Sequence, residues 1–238
     1  MERIQKVIAN SGYTSRRKAE ELLVKGKVKV NGKVVRELGT LVDSNDTIIV
    51  EGHVLKKDEK TYILLNKPRG VVTTTSDDKN RKTVIDLIDI PTRIYPVGRL
   101  DYDTTGVLIL TNDGELTNGL IHPSSNIDKL YIAKIKGLIS PEHIKRLVSG
   151  VIIDGKKTSK AKAKLKKLDK KKETSIVELT IHEGRNHQVK KMFEALGYEV
   201  LKLKRERFAF LDVKSLKPGE YRYLTIKEVK KLYSLINK

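Results

Sequence analysis

Along residues 2–25 the apolar positions fall at helical spacing: Ile4, Val7 and Ile8 form one group and Ala19, Leu22 and Leu23 a second. Between them "SGYTSRRKAEELL" places a Gly break and then Thr14 or Ser15 as the N-cap of a second helix. The pattern then switches to period two. "GKVKVNGKVV" alternates basic and apolar residues around Asn31-Gly32, a strong hairpin signal, and "DTIIVEG" adds a further strand. The polar, Lys-rich "EGHVLKKDEK" (51–60) reads as a linker.

From Tyr62 the character changes. "TYILLNKPRGVVTT" is an apolar strand running into Lys67-Pro68-Arg69-Gly70, a turn in which Pro fixes the backbone and Gly permits close approach. Further strands are predicted at 106–110, 131–136, 160–165 and 176–181, and helices at 115–121, 141–149, 187–196 and 226–236. In the last two helices Val189, Met192, Phe193 and Leu196, then Val229, Leu232 and Ile236, recur at helical spacing. Strands interleaved with helices without regular alternation predict an α+β fold, with a small module at 1–60 and a mixed-sheet domain at 61–238.

Composition changes the picture through charge. Lys and Arg total 49 against 30 acidic residues, a formal charge of +19. Such an excess attracts polyanions, nucleic acid first, because neutralised phosphates release counterions. With 38% hydrophobic residues the chain builds a core and is not a disordered polyelectrolyte. It has no Cys, which excludes disulfides and thiolate metal sites. Neither a signal peptide nor a membrane-spanning run is read, so the expectation is a cytoplasmic protein without a membrane partner. Arg16, Arg17 and Lys18 crowd the first turn of the second helix, the wrong end for cations unless an anion sits there. Arg3 joins them as a basic contact of the same module. Ten lysines lie between Gly155 and Glu173; this run is a solvated hairpin or, with Lys160, Lys162 and Lys164 on one strand face, a track for an RNA backbone.

Against that background "VGRLDYDTTGVLIL" sets Asp101 and Asp103 beside a buried-looking strand. The D-x-D-x-x-G spacing matches half a calcium loop, but the twelfth position is Asn112 rather than Glu and no metal site is expected. Asp101 is then either a turn cap or a catalytic carboxylate in a cleft that accepts nucleic acid. "IHEGRNHQVKKMFEALG" supplies a strand-to-helix turn rich in cations, among them Lys190 and Lys191, and a cation there would hold a nearby aspartate ionised.

The front module, on "RIQKVIANSGYTSRRKAEELLVKGKVKVNGK", resembles an S4-type RNA-binding domain. The blocks "KPRGVVTT", "VGRLDYDTTGVLILTNDG", "DKLYIAKIKG", "EGRNHQVKKMFEALG" and "LKPGEYRYLT" stand in the order seen in pseudouridine synthases of the RsuA/RluB/RluE/RluF group, which the chain resembles over nearly its whole length. The resemblance implies a mainly antiparallel catalytic sheet and cofactor-free, metal-free isomerisation of one uridine in ribosomal RNA, 23S favoured over 16S. A non-catalytic assembly factor is the rival from another class. It also implies roles: Asp101 as catalyst, Tyr131 packing on the base, Lys190 as the basic partner of Asp101, and Arg99 holding the extruded nucleotide. Lys67, Arg185, Asn186, His187, Gln188 and Lys191 are expected to contact RNA. The family pattern N-R-Q-V-R-R-M carries arginines where this chain has His187, Lys190 and Lys191, and a lysine makes no bidentate fork. Asp103 reads as a loop or capping residue, and a monomer is expected because one chain carries the whole site.

Overall fold

The computed structural model describes residues 1–56 and 58–237. They divide into two compact units, Met1–Thr61 with Ile90–Ile94 and Asn112–Gly114, and the remainder from Tyr62 onward.

In the first unit β1 (Glu2–Arg3) leads into α1 (Ile4–Asn10), and α2 (Arg16–Val24) follows. Of the two cap candidates it is Ser15 that acts, its side chain accepting from Lys18 N at 3.2 Å. The chain then forms β2 (Val28–Val30), β3 (Lys33–Val35), β4 (Leu41–Val42), β5 (Ile48–Val50) and β6 (His53–Val54). β2 and β3 are joined by Asn31-Gly32, both at positive φ (49° and 81°), as a type I′ turn requires. The sheet runs β3-β2-β5-β6, so residues 53–54, read from sequence as linker, complete it; they pair with β5 after a turn at Glu51-Gly52. Ile4, Ile8, Ala19, Leu22, Leu23, Val28 and Val50 close the core between helices and sheet.

The second unit is built on a nine-stranded sheet. Its strands are β7 (Tyr62–Lys67), β8 (Tyr95–Pro96), β9 (Thr105–Thr111), β10 (Lys129–Lys136), β13 (Lys162–Asp169), β14 (Thr174–Ile181), β15 (Val200–Phe208), β16 (Leu211–Asp212) and β17 (Tyr221–Tyr223). β11 (Ile152–Ile153) and β12 (Lys156–Lys157) form a separate two-stranded ribbon. The helices are α3 (Gly114–Ile121), α4 (Pro141–Ser149), α5 (Gln188–Glu194) and α6 (Ile226–Ile236). The path is β13-β14-β10-β15-β9-β7-β17, antiparallel except where β9 meets β15. The sheet is therefore mixed and mainly antiparallel.

Sequence periodicity missed four of these strands, β8, β15, β16 and β17. β15 lies in the middle of the sheet although "VLKLKRERF" carries five charges, and β17 is only three residues long. At the β9–β15 seam a Cβ on Gly106 would stand 2.1 Å from the Arg205 carbonyl oxygen, so only glycine lets the two backbones meet. Leu64, Val107, Ile109, Leu116, Leu120, Phe208 and Leu232 form the core on the face that α3 and α6 cover. Gly119 of α3 faces Ile236 so closely that a Cβ would lie 2.5 Å from its Cδ1, which sets the close approach of those helices. In the lysine-rich segment the strand begins at Lys162, so Lys160 lies outside it; Lys162 and Lys164 stay exposed on one face and a bulge at Leu165/Lys167 breaks the alternation. Among the described residues no helix is long and apolar enough to cross a membrane.

Candidate active site

Asp101 sits in the turn before β9, where Thr104 N donates to the Asp101 carbonyl at 3.1 Å. Three residues, one at the end of β7 and two in the segment after it, fix this turn. Gly70 N donates to Tyr102 O at 2.9 Å, and Thr73 Oγ1 donates to Leu100 O at 2.6 Å. The third, Lys67, is 0% exposed. Its Nζ donates to the carbonyls of Pro68 (3.1 Å), Asp101 (3.0 Å) and Thr104 (3.0 Å), and burial pushes it down to about 8 against the pull of Asp101 and Asp103. Lys67 was expected to contact RNA. Enclosed this way it has no surface to offer a phosphate, and it clamps the aspartate turn instead.

The opposite wall is the loop from β14 into α5. His187 adopts the left-handed conformation (φ 52°, ψ 27°) and brings its Nδ1 to 3.0 Å from Asp101 Oδ2. Lys190 Nζ lies 3.4 Å from the same oxygen, but only 2.5 Å from Asp103 Oδ1. Asp103, read as a turn residue, is thus the nearer partner of Lys190. Burial works to raise the Asp103 carboxyl, yet the Lys190 hydrogen bond and charge outweigh it and hold it below the usual range. Both contacts to Asp101 fall on Oδ2, its side chain is 26% exposed, and Oδ1 makes no hydrogen bond among the described residues.

Two further loop residues expected to touch RNA serve the loop itself. Gln188 is buried; its Oε1 accepts from Arg185 N (2.9 Å) and its Nε2 donates to Glu183 (2.7 Å), so both ends of its amide brace the loop. Arg185 is half-buried and donates to the carbonyls of Lys156 and Lys157 at 2.9 and 2.7 Å, pinning the β11–β12 ribbon. Burial tends to raise Glu183, but hydrogen bonds from Ser159 and Gln188 and the charge of Arg185 bring it below its ordinary value. Asn186 and His187 remain exposed, as does Arg99; Lys191 pairs with Asp154 at 2.6 Å. In the first unit Arg3, Arg16, Arg17 and Lys18 are all exposed.

Between these walls lies a cleft of about 740 Å³ whose floor is the sheet. Tyr131, 8% exposed, stands on that floor from β10. Arg99, Asp101, Tyr131, His187 and Lys190 all line the cleft, so residues far apart in sequence converge on one space. Its lining includes Arg99, Lys129, Lys156, Arg185, Lys190 and Arg205 against two carboxylates, Asp101 and Glu183, which suits an anionic ligand. Lys129 and Arg205 escaped sequence reasoning. The first is part of the "KLY" block, and the second lies in the charged strand whose periodicity was unreadable. Among the described residues no group of three His, Asp or Glu side chains is set to hold a metal ion.

A family model described as RNA pseudouridylate synthase matches residues 61–195, and one described as S4 domain matches residues 2–48. The chain is 58% identical over 236 residues to the ribosomal large subunit pseudouridine synthase B of Bacillus subtilis (strain 168), covering 99% of this chain and 97% of that protein. It is 40% identical to an uncharacterized RNA pseudouridine synthase of Aquifex aeolicus (strain VF5), with 98% and 94% covered. A solved structure of a pseudouridylate synthase superposes with a TM-score of 0.69 at 34% identity, covering 98% of this chain and 100% of that one.

Proposed function

The chain belongs to the RNA pseudouridylate synthase family, and we propose that the uridine it isomerises lies in the 23S RNA of the large ribosomal subunit, with Asp101 as the catalytic carboxylate. The observation that carries the assignment of Asp101 is its setting: an accessible carboxylate at the lip of a basic cleft, with Lys190 and the His187 ring on one oxygen and the other open. The large-subunit assignment is supported by the full-length similarity to a relative of that specificity.

The chemistry needs this arrangement. The N1–C1′ bond of uridine must break, the base must turn, and a C5–C1′ bond must form. Bond breaking builds positive charge on the ribose, which a fixed carboxylate stabilises as in glycoside hydrolysis. Asp101 either attacks the sugar carbon or removes a ribose C2′ proton; Oδ1 is the oxygen open to both. The uridine must first leave its stack. Tyr131 then offers the ring on which the base packs, and exposed Arg99 fills the vacated space. Lys190 and His187 orient Asp101 through its Oδ2. Asn186 and Lys191 add polar contacts at the rim, and Arg3, Arg16, Arg17 and Lys18 give the S4-type unit its grip on phosphates. The site draws on one chain, and a monomer suffices.

Carbodiimide mapping of both ribosomal RNAs tests this, in cells lacking the gene and complemented with wild type or Asp101→Asn. One modification in 23S RNA restored by wild type alone is the expected result. Restoration in 16S RNA would overturn the substrate assignment, and restoration by Asp101→Asn would overturn the role of Asp101.

A further inference from the structure

Three buried side-chain polar atoms lack a hydrogen-bond partner among the described residues: Gln5 Oε1, Thr104 Oγ1 and Arg205 Nη2. Two of these residues, Thr104 and Arg205, line the cleft. Arg205 is the more unusual, because a guanidinium that is only 3% exposed ordinarily has a carboxylate beside it. Here none of the ion pairs among the described residues includes it. Its Nε donates to Val107 O at 2.8 Å and its Cζ lies 5.3 Å from the Phe208 ring centre, which fixes the plane of the fork. Lys129, its neighbour on the same floor, worsens the electrostatics. That ammonium spends itself on the carbonyls of Ile127 (3.2 Å) and His182 (2.6 Å), and burial first, then the charge of Arg205, push it down to about 8. A buried cation therefore stands beside a half-buried one, and the buried one has a donor to spare.

Arg205 is also placed beside the base platform. Its Cα is the cross-strand partner of Tyr131, so the two side chains leave the same face of the sheet as neighbours. A base stacked on Tyr131 would have its edge toward Arg205. A polymer phosphate is a poor occupant of this position, because the base is the part of an extruded nucleotide that goes deepest.

What the floor lacks, the reaction supplies. When N1–C1′ breaks, its electron pair goes to the uracil and spreads onto O2 and O4. When C5 then attacks C1′, the C5 proton leaves and N1 takes up a proton, so the charge on the base is transient. We propose that Arg205 is a further catalytic residue, whose Nη2 donates to a uracil carbonyl oxygen and stabilises the negative charge of the departing base. This inference rests on the pseudouridine synthase reading above. It assigns the two halves of bond breaking to opposite charges, Asp101 for the ribose and Arg205 for the uracil. A donor aimed at developing charge in a water-poor site contributes mainly to the transition state.

The test uses the full chain, large-subunit ribosomal RNA labelled with tritium at uracil C5, and single-turnover tritium release. Arg205→Met should lower the rate by about 10²–10³-fold with RNA affinity within about threefold of wild type. Thermal stability should hold or rise, because the substitution removes an uncompensated buried charge. Arg205→Lys, which keeps the charge without the fork, should fall between the two. A structural role would instead lower rate and melting temperature together, and rescue by Lys would track stability. Replacing the target uracil's O4 or O2 by sulfur, a poor acceptor, should slow wild type at one of the two positions and leave Arg205→Met unaffected there. If wild type is active and Arg205→Met reacts within about threefold of it, the role of Arg205 is refuted while the enzyme assignment stands. If wild type releases no tritium from any ribosomal RNA, both readings fall.

Discussion

Lys67→Met separates two meanings of a lysine in a basic protein. Methionine matches the length and apolar character of the lysine stem and removes only the ammonium. The carbonyls of Pro68, Asp101 and Thr104 then lose a shared donor at 3.0–3.1 Å. Asp101 O keeps the Thr104 amide, so the other two carbonyls bear most of the loss. Each bond to a charged donor is worth about 1.5–3 kcal/mol. Removing a buried ammonium returns part of that, since its desolvation is itself unfavourable by several kcal/mol. A net loss of about 2–4 kcal/mol follows, or roughly 4–16 °C in melting temperature for a chain of this size. The larger effect falls on chemistry. Two of the three carbonyls belong to the turn that holds Asp101 and the third to the turn packed against it, and a displacement of about 1 Å there should lower kcat on the order of 10²-fold.

RNA binding provides the control. A phosphate contact would make the dependence of log affinity on log salt shallower by about 0.7–0.9 on mutation. A clamp leaves that slope unchanged. Thermal melts, single-turnover tritium release and filter binding between about 50 and 200 mM salt read the three quantities independently. A shallower slope with kcat within about threefold of wild type would refute the clamp and return Lys67 to the RNA surface.

Replacing Arg16, Arg17 and Lys18 together by Gln should make the salt slope shallower by about 2 and leave the single-turnover rate at saturating RNA unchanged; an unaltered slope would show that this helix end does not meet phosphate. Glu228 is held down to about 2 by the hydrogen-bonded Arg222 guanidinium, against an opposing push from burial, and it also closes the capping box with Thr225. Its folded value lies below its ordinary 4.5, so this stabilisation is complete above about pH 4.5 and is lost as pH falls toward 2. Glu228→Gln should therefore lower the neutral-pH melting temperature by roughly 2–6 °C, about 1–1.5 kcal/mol, and flatten the decline in stability on acidification between those limits.

The parts of the fold that were legible in the sequence are those where burial and apolarity coincide. α4 and α6 were read at about 141–149 and 226–236, where the structure has Pro141–Ser149 and Ile226–Ile236, and in α6 Val229, Leu232 and Ile236 recur at helical spacing. β15 was not, because its inward positions include Arg205, and a hydrophobic alternation does not register a strand whose buried side chain is a cation. The same limit governs the site. Asp101, Tyr131, Arg99 and Lys190 were singled out because the family resemblance carries its roles onto those positions. Lys67 and Gln188 were assigned to RNA because polar side chains in such blocks usually face solvent. Their burial depends on carbonyls and carboxylates contributed by other turns of the chain, which no local pattern records. Asp103 was undervalued for the converse reason: its partner lies 87 residues away.

That partner bears on why two carboxylates stand together in a protein of charge +19. A lone aspartate facing six cations would be drawn into tight ion pairs, with its oxygens spent before substrate arrived. Lys190 instead makes its shorter contact, 2.5 Å, with Asp103 and only a longer one, 3.4 Å, with Asp101. Asp103 thus takes the one side-chain hydrogen bond that Lys190 makes among the described residues, while the lysine's charge stays near the neighbouring carboxylate. Asp101 is left with its Oδ1 free of hydrogen bonds, and that is the oxygen proposed above to meet the ribose.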